Sequence, residues 1–252
     1  MKKTSAYQFD NTLNLPFSAE MYSRMKFGCV ESSIKCANAL ADKVINEFTK
    51  NGIPKNIVAS PSPYQEIPKS SNHIFDHFIK RMNRFLFDNN HLPIKTTRIR
   101  SCHVYTVDYG KLEVSERETL IGKDSWTFNK DLLNNSYFFI LDDLRMTGTL
   151  EKTVIRQINE QKINEICNEI HFIYFAENIG KEVPDNFENI LNFNSITSIK
   201  DLISIINTGQ FKWNMRNLKY VLESSTDEID YFLQNYNHED FLDIIINLLS
   251  TI

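Results

Sequence analysis

The stretch SYFFILDDLRMTGTLEKTVI, residues 136–155, decides the fold. Its first part, residues 136–141, is mostly apolar and predicts a buried β-strand. Two adjacent aspartates, Asp142 and Asp143, follow this strand, and a helical pattern begins near Gly148. In an open α/β sheet, ligands bind beyond the carboxyl ends of the strands, so we expect the two carboxylates to face a ligand there.

The loop between the aspartates and the helix has the composition of an anion site. Amide groups at the start of a helix attract an anion, and Gly148 lets the backbone approach it closely. The hydroxyl groups of Thr147 and Thr149 are further donors. Carboxylates followed by such a loop suit a sugar phosphate, with the carboxylates on the sugar hydroxyls and the loop on the phosphate. The alternative is structural, because aspartate is also a common turn former after a strand.

Length, composition and charge limit the classes of protein to which this chain can belong. With 252 residues, of which 42% are hydrophobic and 24% charged, it resembles a globular protein of one large domain or a domain with a small appendage. The net charge of -4 argues against a nucleic-acid partner, and nothing in the composition suggests a membrane span. The four cysteines lack CxxC spacing, and the N-terminal segment lacks the apolar core of a secretory signal. We therefore expect a cytoplasmic protein.

The hydrophobic pattern around the central stretch alternates between strands and helices. It predicts strands at 56–60, 97–107, 136–141 and 170–176, and helices at 30–49, 70–87 and 148–166. Ser70 or Ser71 is expected to cap the second helix. The alternation indicates an α/β fold with a central, mostly parallel sheet flanked by helices. From about residue 199 the pattern is helical, so we expect an α/β domain over 1–198 and a helical C-terminal extension over 199–252.

The order of residues from 142 to 149 resembles the phosphoribosyl-pyrophosphate (PRPP) binding motif of type I phosphoribosyltransferases. That motif has an apolar strand, two acidic residues, three variable residues, Thr-Gly and another threonine. The resemblance implies that Asp142 and Asp143 bind the ribose 2′- and 3′-hydroxyls and that the following loop encloses the 5′-phosphate. The implied loop residues are Leu144, Arg145, Met146, Thr147, Gly148 and Thr149. Thr149 follows Gly148 directly, whereas one residue separates the two in the commonest form of the motif.

Other segments resemble members of the same family. DYGKLEVSER and IYFAEN, upstream and downstream of the central stretch, are similar to a bacterial branch of phosphoribosyltransferase-like proteins with helical C-terminal extensions. YSRMKFGCVESSIKCANALA resembles the Lys-x-Gly segment and the following helix of orotate phosphoribosyltransferases, which implies that Lys26 contacts the substrate. Together the matching segments extend over roughly residues 20–225.

The family fold implies a pyrophosphate loop after the first core strand, often with a strained or cis peptide. In this sequence the matching residues are Ser60, Pro61, Ser62, Pro63 and Tyr64. The two X-Pro bonds make an unusual backbone conformation less costly there than elsewhere. A proline-rich turn that only ends the strand is the alternative.

The family fold also implies a flexible hood over the reaction centre, which corresponds to about residues 108–135. Lys111, Arg117 and Lys123 could bring positive charge to the departing pyrophosphate, and Arg117 and Lys123 are the expected catalytic residues of the hood. The alternative for each is a solvated side chain on an exposed loop.

The resemblance implies a Mg²⁺-dependent phosphoribosyltransferase that transfers the 5-phosphoribosyl group of PRPP to a nitrogen acceptor such as a nucleobase. Asp142 and Asp143 would hold Mg²⁺ through the bound PRPP. The alternative is a non-catalytic module that senses PRPP or a nucleotide on the same fold. The helical tail could form a homodimer or bind a partner protein. A metal pair of His73 and His77, four residues apart on one helix face, is a minor alternative because no third ligand is evident.

Overall fold

A parallel β-sheet forms the centre of the protein. The computed structural model describes residues 1–64, 67–101, 126–184, 186–236 and 238–249. The strands are β1 (Lys2–Phe9), β2 (Ile57–Pro61), β3 (Lys95–Thr96), β4 (Arg100–Ser101), β5 (Trp126–Thr127), β6 (Tyr137–Arg145) and β7 (Glu169–Asn178). Five of them form the sheet in the order β1-β7-β6-β2-β3, and all of its pairings are parallel. β4 and β5 form a separate antiparallel pair.

Helices cover the sheet and continue to the C-terminal part of the chain. They are α1 (Ala19–Lys26), α2 (Val30–Asn51), α3 (Ser70–Asp88), α4 (Lys130–Leu133), α5 (Thr149–Glu160), α6 (Ile163–Ile166), α7 (Phe187–Asn192), α8 (Ile199–Ile206), α9 (Met215–Leu222), α10 (Thr226–Asn235) and α11 (His238–Leu249). The described helices include none with the length and apolarity that a bilayer crossing requires. The predicted α/β class, with a mostly parallel central sheet and C-terminal helices, is confirmed.

The central strand β6 is buried on both faces. Phe139 and Leu141 pack in an apolar cluster with residues of α2 and α3, whereas Phe138 and Ile140 pack in a second cluster with residues of α5. Because both faces are covered, β6 is a continuous apolar run rather than an alternation of apolar and polar residues. This burial fixes the register of β6 and therefore the position of the residues at its carboxyl end.

The C-terminal helices have an apolar cluster of their own, but this cluster also includes residues from the turn between α1 and α2. Leu218 and Phe232 are fully buried in it, and Phe27 and Cys29 join them from that turn. The segment after residue 199 therefore packs directly on the start of the sheet domain. The division of the chain at residue 198 remains a prediction.

Several predicted strand boundaries were wrong. β6 does not end at residue 141 but continues through both aspartates, because it pairs with β7 as far as Arg145 and Glu177. In the predicted strand at 97–107, residues 97–99 are not in a strand, and only β4 is a described strand there. The amide of Thr97 instead donates to the carbonyl of Ala59, and the amide of Ile99 donates to Ser60 Oγ.

Other differences concern the first strand, the helix after the loop and the hood. β1 was not predicted, although it pairs along its length with β7. The helix predicted at 148–166 is broken into α5 and α6, because Lys162 has a left-handed backbone with φ of 59°. The end of the predicted hood, residues 126–135, is not a loose loop, since Trp126 and Leu133 are buried in the second cluster. The rest of the hood that lies within 108–125 is outside the described residues.

Candidate functional site

The two adjacent aspartates lie within the last part of β6, not beyond it as predicted. Asp142 is paired in register with Tyr174 of β7, and Leu144 with Ala176. The aspartates are nevertheless at the carboxyl end of the sheet, where the strands β2, β6 and β7 all point. This is the edge at which open α/β sheets bind their ligands.

Asp143 belongs to a buried ion pair. Lys26 Nζ, at the end of α1, donates to Asp143 Oδ2 over 2.8 Å, and Ser70 Oγ donates to the same oxygen over 2.8 Å. The other carboxylate oxygen accepts the amide of Leu144 at 2.8 Å. Only 7% of the Lys26 side chain and 8% of the Asp143 side chain are exposed, so both charges are removed from water. Glu188 of α7 lies 3.6 Å from Lys26 Nζ as a second, longer ion pair.

The two neighbouring carboxyl groups have opposite pKa shifts. Burial and the negative charge of Asp143 raise the pKa of Asp142 to about 7. Burial alone would also raise the pKa of Asp143, but the charge of Lys26 and the hydrogen bonds from Lys26 and Ser70 outweigh it and hold that pKa below its usual range. Asp143 is therefore a permanently charged, already partnered group, whereas Asp142 changes charge near neutral pH.

The loop after β6 turns sharply into α5. Gly148, directly before α5, has a left-handed backbone with φ of 74°, which a glycine adopts at little cost. The hydroxyl oxygens of Thr147 and Thr149 are 2.9 Å apart and the loop is closed by this contact. Thr149 is the first residue of α5, so its hydroxyl and the first amide groups of the helix lie at the same place.

The side chains of the implied PRPP loop do not all face a ligand. Leu144 and Met146 are buried in the first apolar cluster, so these residues offer only their backbone to the loop. The guanidinium of Arg145 is turned to carboxylates: its Nε lies 2.8 Å from Glu151 Oε2, and its Nη1 lies 3.4 Å from Glu177 Oε1. Arg145 therefore stabilises the loop from behind rather than presenting its charge at the loop opening.

The predicted pyrophosphate segment is tightly fixed to its neighbours. Ser60 and Pro61 end β2, and the amide of Ser62 donates to the carbonyl of Leu141 at 2.8 Å. Ser62 Oγ lies 2.6 Å from Ser71 Oγ. No peptide bond in the described part of the chain is cis. The guanidinium carbon of Arg98 lies 4.0 Å above the ring of Tyr64.

A cavity of about 610 Å³ opens beside this segment. The described residues that line it include Pro61, Tyr64, Asn72, His73, Arg98 and Lys212. Lys212 Nζ lies 3.9 Å from Asp76 at the surface. The cavity therefore places positive side chains next to the predicted pyrophosphate loop.

Some predicted residues lie outside the described part of the chain, and the predicted histidine pair is not formed. Arg117, Lys123 and Lys111 lie outside the described residues. His73 does not pair with His77, because His73 Nε2 lies 3.1 Å from the carbonyl oxygen of Trp213. Burial lowers the pKa of His73 to about 4. Within the described ranges, no group of three or more histidine, cysteine, aspartate or glutamate side chains is arranged to hold a metal ion.

Three polar groups of the site and its adjoining cavity were not predicted from the sequence. Ser70 was expected to cap α3, but the capping position is Lys69 and the hydroxyl of Ser70 binds Asp143 instead. Glu188 and Arg98 were not predicted to lie near the site. A serine that precedes an amphipathic helix indicates a cap, and nothing in the local sequence reveals a carboxylate 73 residues away.

The fold is of the phosphoribosyltransferase-like class: a parallel sheet flanked by helices, with two adjacent aspartates and a glycine-containing loop at the carboxyl end of its central strand. A family model described as PRTase ComF-like matches residues 1–249, which is nearly the whole chain. The chain therefore belongs to the ComF-like phosphoribosyltransferase family. No curated protein matches the sequence.

Solved structures of hypoxanthine phosphoribosyltransferases have a similar but distant fold. The enzyme of Trypanosoma cruzi is 13% identical over 62% of this chain and 71% of its own, with a TM-score of 0.38. The hypoxanthine-guanine enzyme of L. donovani is 14% identical over 58% of this chain and 72% of its own, with a TM-score of 0.35. The Staphylococcus aureus enzyme is 12% identical over 59% of this chain and 76% of its own, with a TM-score of 0.36.

Proposed function

We propose that this protein binds PRPP at the carboxyl end of β6 and transfers its 5-phosphoribosyl group to a nitrogen acceptor, with release of pyrophosphate. The observation that carries the proposal is the direct succession of Asp142, Asp143 and the left-handed Gly148 at the start of α5. Two carboxylates and an anion loop on one edge match the two ends of a ribose 5-phosphate.

The aspartates would bind the ribose end of the donor. Asp142 lacks an ion pair within the described residues, so its oxygens can accept hydrogen bonds from the ribose hydroxyls. Asp143, held by Lys26 and Ser70, fixes the shape of the site and carries the negative charge next to it. The 5′-phosphate falls to the amides at the start of α5 and the hydroxyls of Thr147 and Thr149.

Residues 60–64 and the adjoining cavity would bind the pyrophosphate end of the donor. Tyr64, Arg98 and Lys212 line that cavity, and two of these side chains carry positive charge. Positive charge at this place would stabilise the leaving group as the bond to the ribose breaks. Lys111, Arg117 and Lys123 of the predicted hood are proposed to add to it.

The residues present fit Mg²⁺ held mainly through the substrate. A carboxylate oxygen is a ligand that Mg²⁺ accepts, and this ion uses one or two carboxylates plus substrate oxygens and water. The raised pKa of Asp142 marks a place where excess negative charge is unbalanced, and a cation would relieve it. When bound, Mg²⁺ would neutralise the charge of the pyrophosphate.

The chain itself contributes position and charge. The anion loop and Asp142 would hold the ribose in one orientation, so that the acceptor nitrogen attacks C1 from the face opposite the departing pyrophosphate. The bond from C1 to the pyrophosphate oxygen breaks as the bond from C1 to nitrogen forms, and the pyrophosphate leaves with the electron pair. The basic groups of the cavity and hood receive that charge.

A non-catalytic PRPP or nucleotide sensor is the second candidate, because it would hold the donor with the same carboxylates and the same loop, and the pair of Asp143 with Lys26 serves binding and catalysis alike. A sensor needs only to bind the donor, whereas an enzyme also needs charge at the leaving group. Arg117 and Lys123 separate the two: their loss should abolish turnover in an enzyme and spare binding in a sensor.

The test is an incubation of the purified protein with PRPP and Mg²⁺ against a panel of nucleobases and nucleosides, with pyrophosphate release as the measurement. PRPP binding is measured in parallel by calorimetry. We expect release with at least one acceptor, and an affinity for PRPP that falls about 10-fold or more in Asp142→Asn, because a charged acceptor of hydrogen bonds is lost.

The matched control is Asp88→Asn, which neutralises an exposed carboxylate on α3. Its PRPP affinity should equal that of the original protein. Binding of PRPP without release across the whole panel would favour the sensor. Unchanged binding and release in Asp142→Asn would show that the assigned site is wrong.

A further inference from the structure

Residues 210–217, which end the connection from α8 and form the first residues of α9, cross directly over the turn that follows α1. Its backbone bonds to that turn on both sides: the amide of Val30 donates to the carbonyl of Gln210 at 3.0 Å, and the amide of Lys212 donates to the carbonyl of Gly28 at 2.9 Å. The C-terminal extension is therefore joined by main-chain hydrogen bonds to the element that ends in Lys26. We call residues 210–217 the clamp segment.

Gly28 allows the clamp segment to lie this close. Its φ is +90°, and a Cβ atom at this position would be 2.2 Å from the carbonyl oxygen of Lys212 and 2.7 Å from Asn217 Nδ2. Both the backbone conformation and the close approach exclude any residue with a side chain. The Lys-x-Gly spacing thus has a structural reason here: it joins a lysine that reaches Asp143 to a glycine that receives the C-terminal extension.

Two buried asparagines complete the contact. Asn214 Nδ2 donates to the carbonyl of Lys26 at 3.2 Å, and Asn217 Nδ2 donates to the carbonyls of Phe27 at 3.3 Å and Lys212 at 3.1 Å. Both asparagines are completely buried. Their side-chain oxygens are used within the extension, where Asn214 accepts from the amides of Arg216 and Asn217 as the N-cap of α9. Each side chain therefore has one end in the extension and the other on the turn after α1.

The clamp segment also reaches the second partner of Asp143. The amide of Met215 donates to the carbonyl of Pro68 at 2.9 Å, and the carbonyl of Trp213 lies 3.1 Å from His73 Nε2. These two contacts fix the first turn of α3, which carries Ser70. One short segment of the extension thus holds the backbone on which both hydrogen-bond donors to Asp143 Oδ2 are built.

We infer that the clamp segment is a positioning element of the PRPP site, in which Asn214 and Asn217 keep Lys26 on Asp143. The inference rests on the proposed function for the identity of the ligand, but not for the contacts. Lys26 has a long, flexible side chain, and its fixed position depends on where its backbone is held. Without the clamp segment, Asp143 would lose its cation. The negative charges of Asp142 and Asp143 would then repel each other more strongly.

The variant for the test is Asn214→Ser. Serine is as good an N-cap as asparagine, so α9 keeps its cap, but serine has no amide to donate to the Lys26 carbonyl. The matched control is Ser225→Ala, which removes the cap of α10 in the same extension and has no contact with the turn after α1. Thermal denaturation of both variants verifies that each is folded at the assay temperature.

The first readout does not depend on PRPP. Reductive methylation followed by peptide mass spectrometry measures how fast the Lys26 amine reacts in the full-length protein. In the original protein Lys26 should be protected, while Lys35, whose side chain is 60% exposed, should react readily. We expect the Lys26 modification rate to rise several-fold in Asn214→Ser and to stay unchanged in Ser225→Ala.

The second readout is PRPP affinity, measured by calorimetry. Loss of one hydrogen bond at the clamp should lower the affinity about 3- to 10-fold. The Ser225→Ala control should have the affinity of the original protein.

The outcomes separate the inference from the proposed function. If the original protein does not bind PRPP at all, the proposed function fails, and Lys26 protection still decides whether the clamp segment holds the lysine. If Lys26 stays protected in Asn214→Ser, the inference is overturned. It is also overturned if Lys26 becomes reactive while PRPP affinity stays the same, because the clamp segment would then not act on the site.

Discussion

The two adjacent aspartates of the central strand have opposite surroundings on its two sides. On one side, Asp143 is enclosed by α1 and α3, and its charge is balanced by Lys26 and Ser70. On the other, Asp142 has no cation as an ion-pair partner in the described residues, and its pKa is raised to about 7. The same residue type, one position apart, therefore serves as a fixed structural charge in one case and as a group open to a ligand in the other. The difference shows that a paired acidic motif need not have two equivalent members.

The largest effect should come from removing the cation on the Asp143 side. Lys26→Met leaves a buried carboxylate without its partner, and breaking one half of a buried pair costs roughly 3 to 5 kcal/mol of unfolding free energy. Urea denaturation measures this loss. The matched control is Lys2→Met, whose ion pair with Glu169 is largely exposed and should cost less than about 1 kcal/mol.

The double variant Lys26→Met with Asp143→Asn sharpens this result. Because the carboxylate charge is removed together with the ammonium, most of the lost stability should return. A single variant as stable as the original protein would mean that Lys26 and Asp143 are not paired in solution.

A smaller effect, with a defined pH dependence, should come from the Asp142 side. The pKa of Asp142 is about 7 when folded, above its ordinary value of 3.8, so the folded state binds this proton more tightly than the unfolded state does. Its contribution to stability is complete below about pH 4 and is lost as pH rises through 7, by on the order of 2 to 4 kcal/mol. In Asp142→Asn, this part of the decrease in unfolding free energy with rising pH should be absent, as measured by denaturation from pH 4 to 8.

Asp143 should show the reverse trend, because its pKa is lowered: the stability that it contributes is present above its ordinary pKa and is lost on acidification. If the unfolding free energy of Asp142→Asn followed that of the original protein over the whole pH range, the two aspartates would not differ in the way described.

The smallest stability effect concerns the anion loop. Gly148→Ala places a side chain at a φ of +74°, which costs about 1 kcal/mol, and the new Cβ atom would lie 2.8 Å from Arg145 Nη2. Gly209→Ala is the matched control, since Gly209 has a similar φ of +69° and no described atom within 4 Å of a Cβ atom. The two variants should lose similar stability in urea, but only Gly148→Ala should lose PRPP affinity by calorimetry. Equal affinities would argue against an anion at this loop.

The turn from β6 through Gly148 into α5 was predictable from sequence because its parts are contiguous. Residues 142–149 carry the carboxylates, the left-handed glycine and the helix start in one short segment, and a local pattern can reveal all of these. The ion pair that distinguishes the aspartates was not predictable. Lys26 and Asp143 are 117 residues apart, and only the packing of α1 against the sheet brings them together.

β1 was missed for a different reason. Its sequence, KKTSAYQF, is polar, because two of its inward side chains are hydrogen-bonded rather than apolar. Thr4 Oγ1 donates to Glu47, and Ser5 Oγ donates to Glu177. A strand whose buried face is a hydrogen-bond network has no hydrophobic period to detect.

The sheet order also sets the sequence in which the fold can be completed during synthesis. Among the described strands, β1 pairs only with β7, and the contact between Thr4 and His171 joins residues 167 positions apart. At a synthesis rate of about 5 to 20 residues per second, β1 leaves the ribosome roughly 10 to 30 seconds before its partner strand exists. During that interval the polar residues of β1 are an advantage, because a waiting strand with few apolar side chains is a poor template for aggregation.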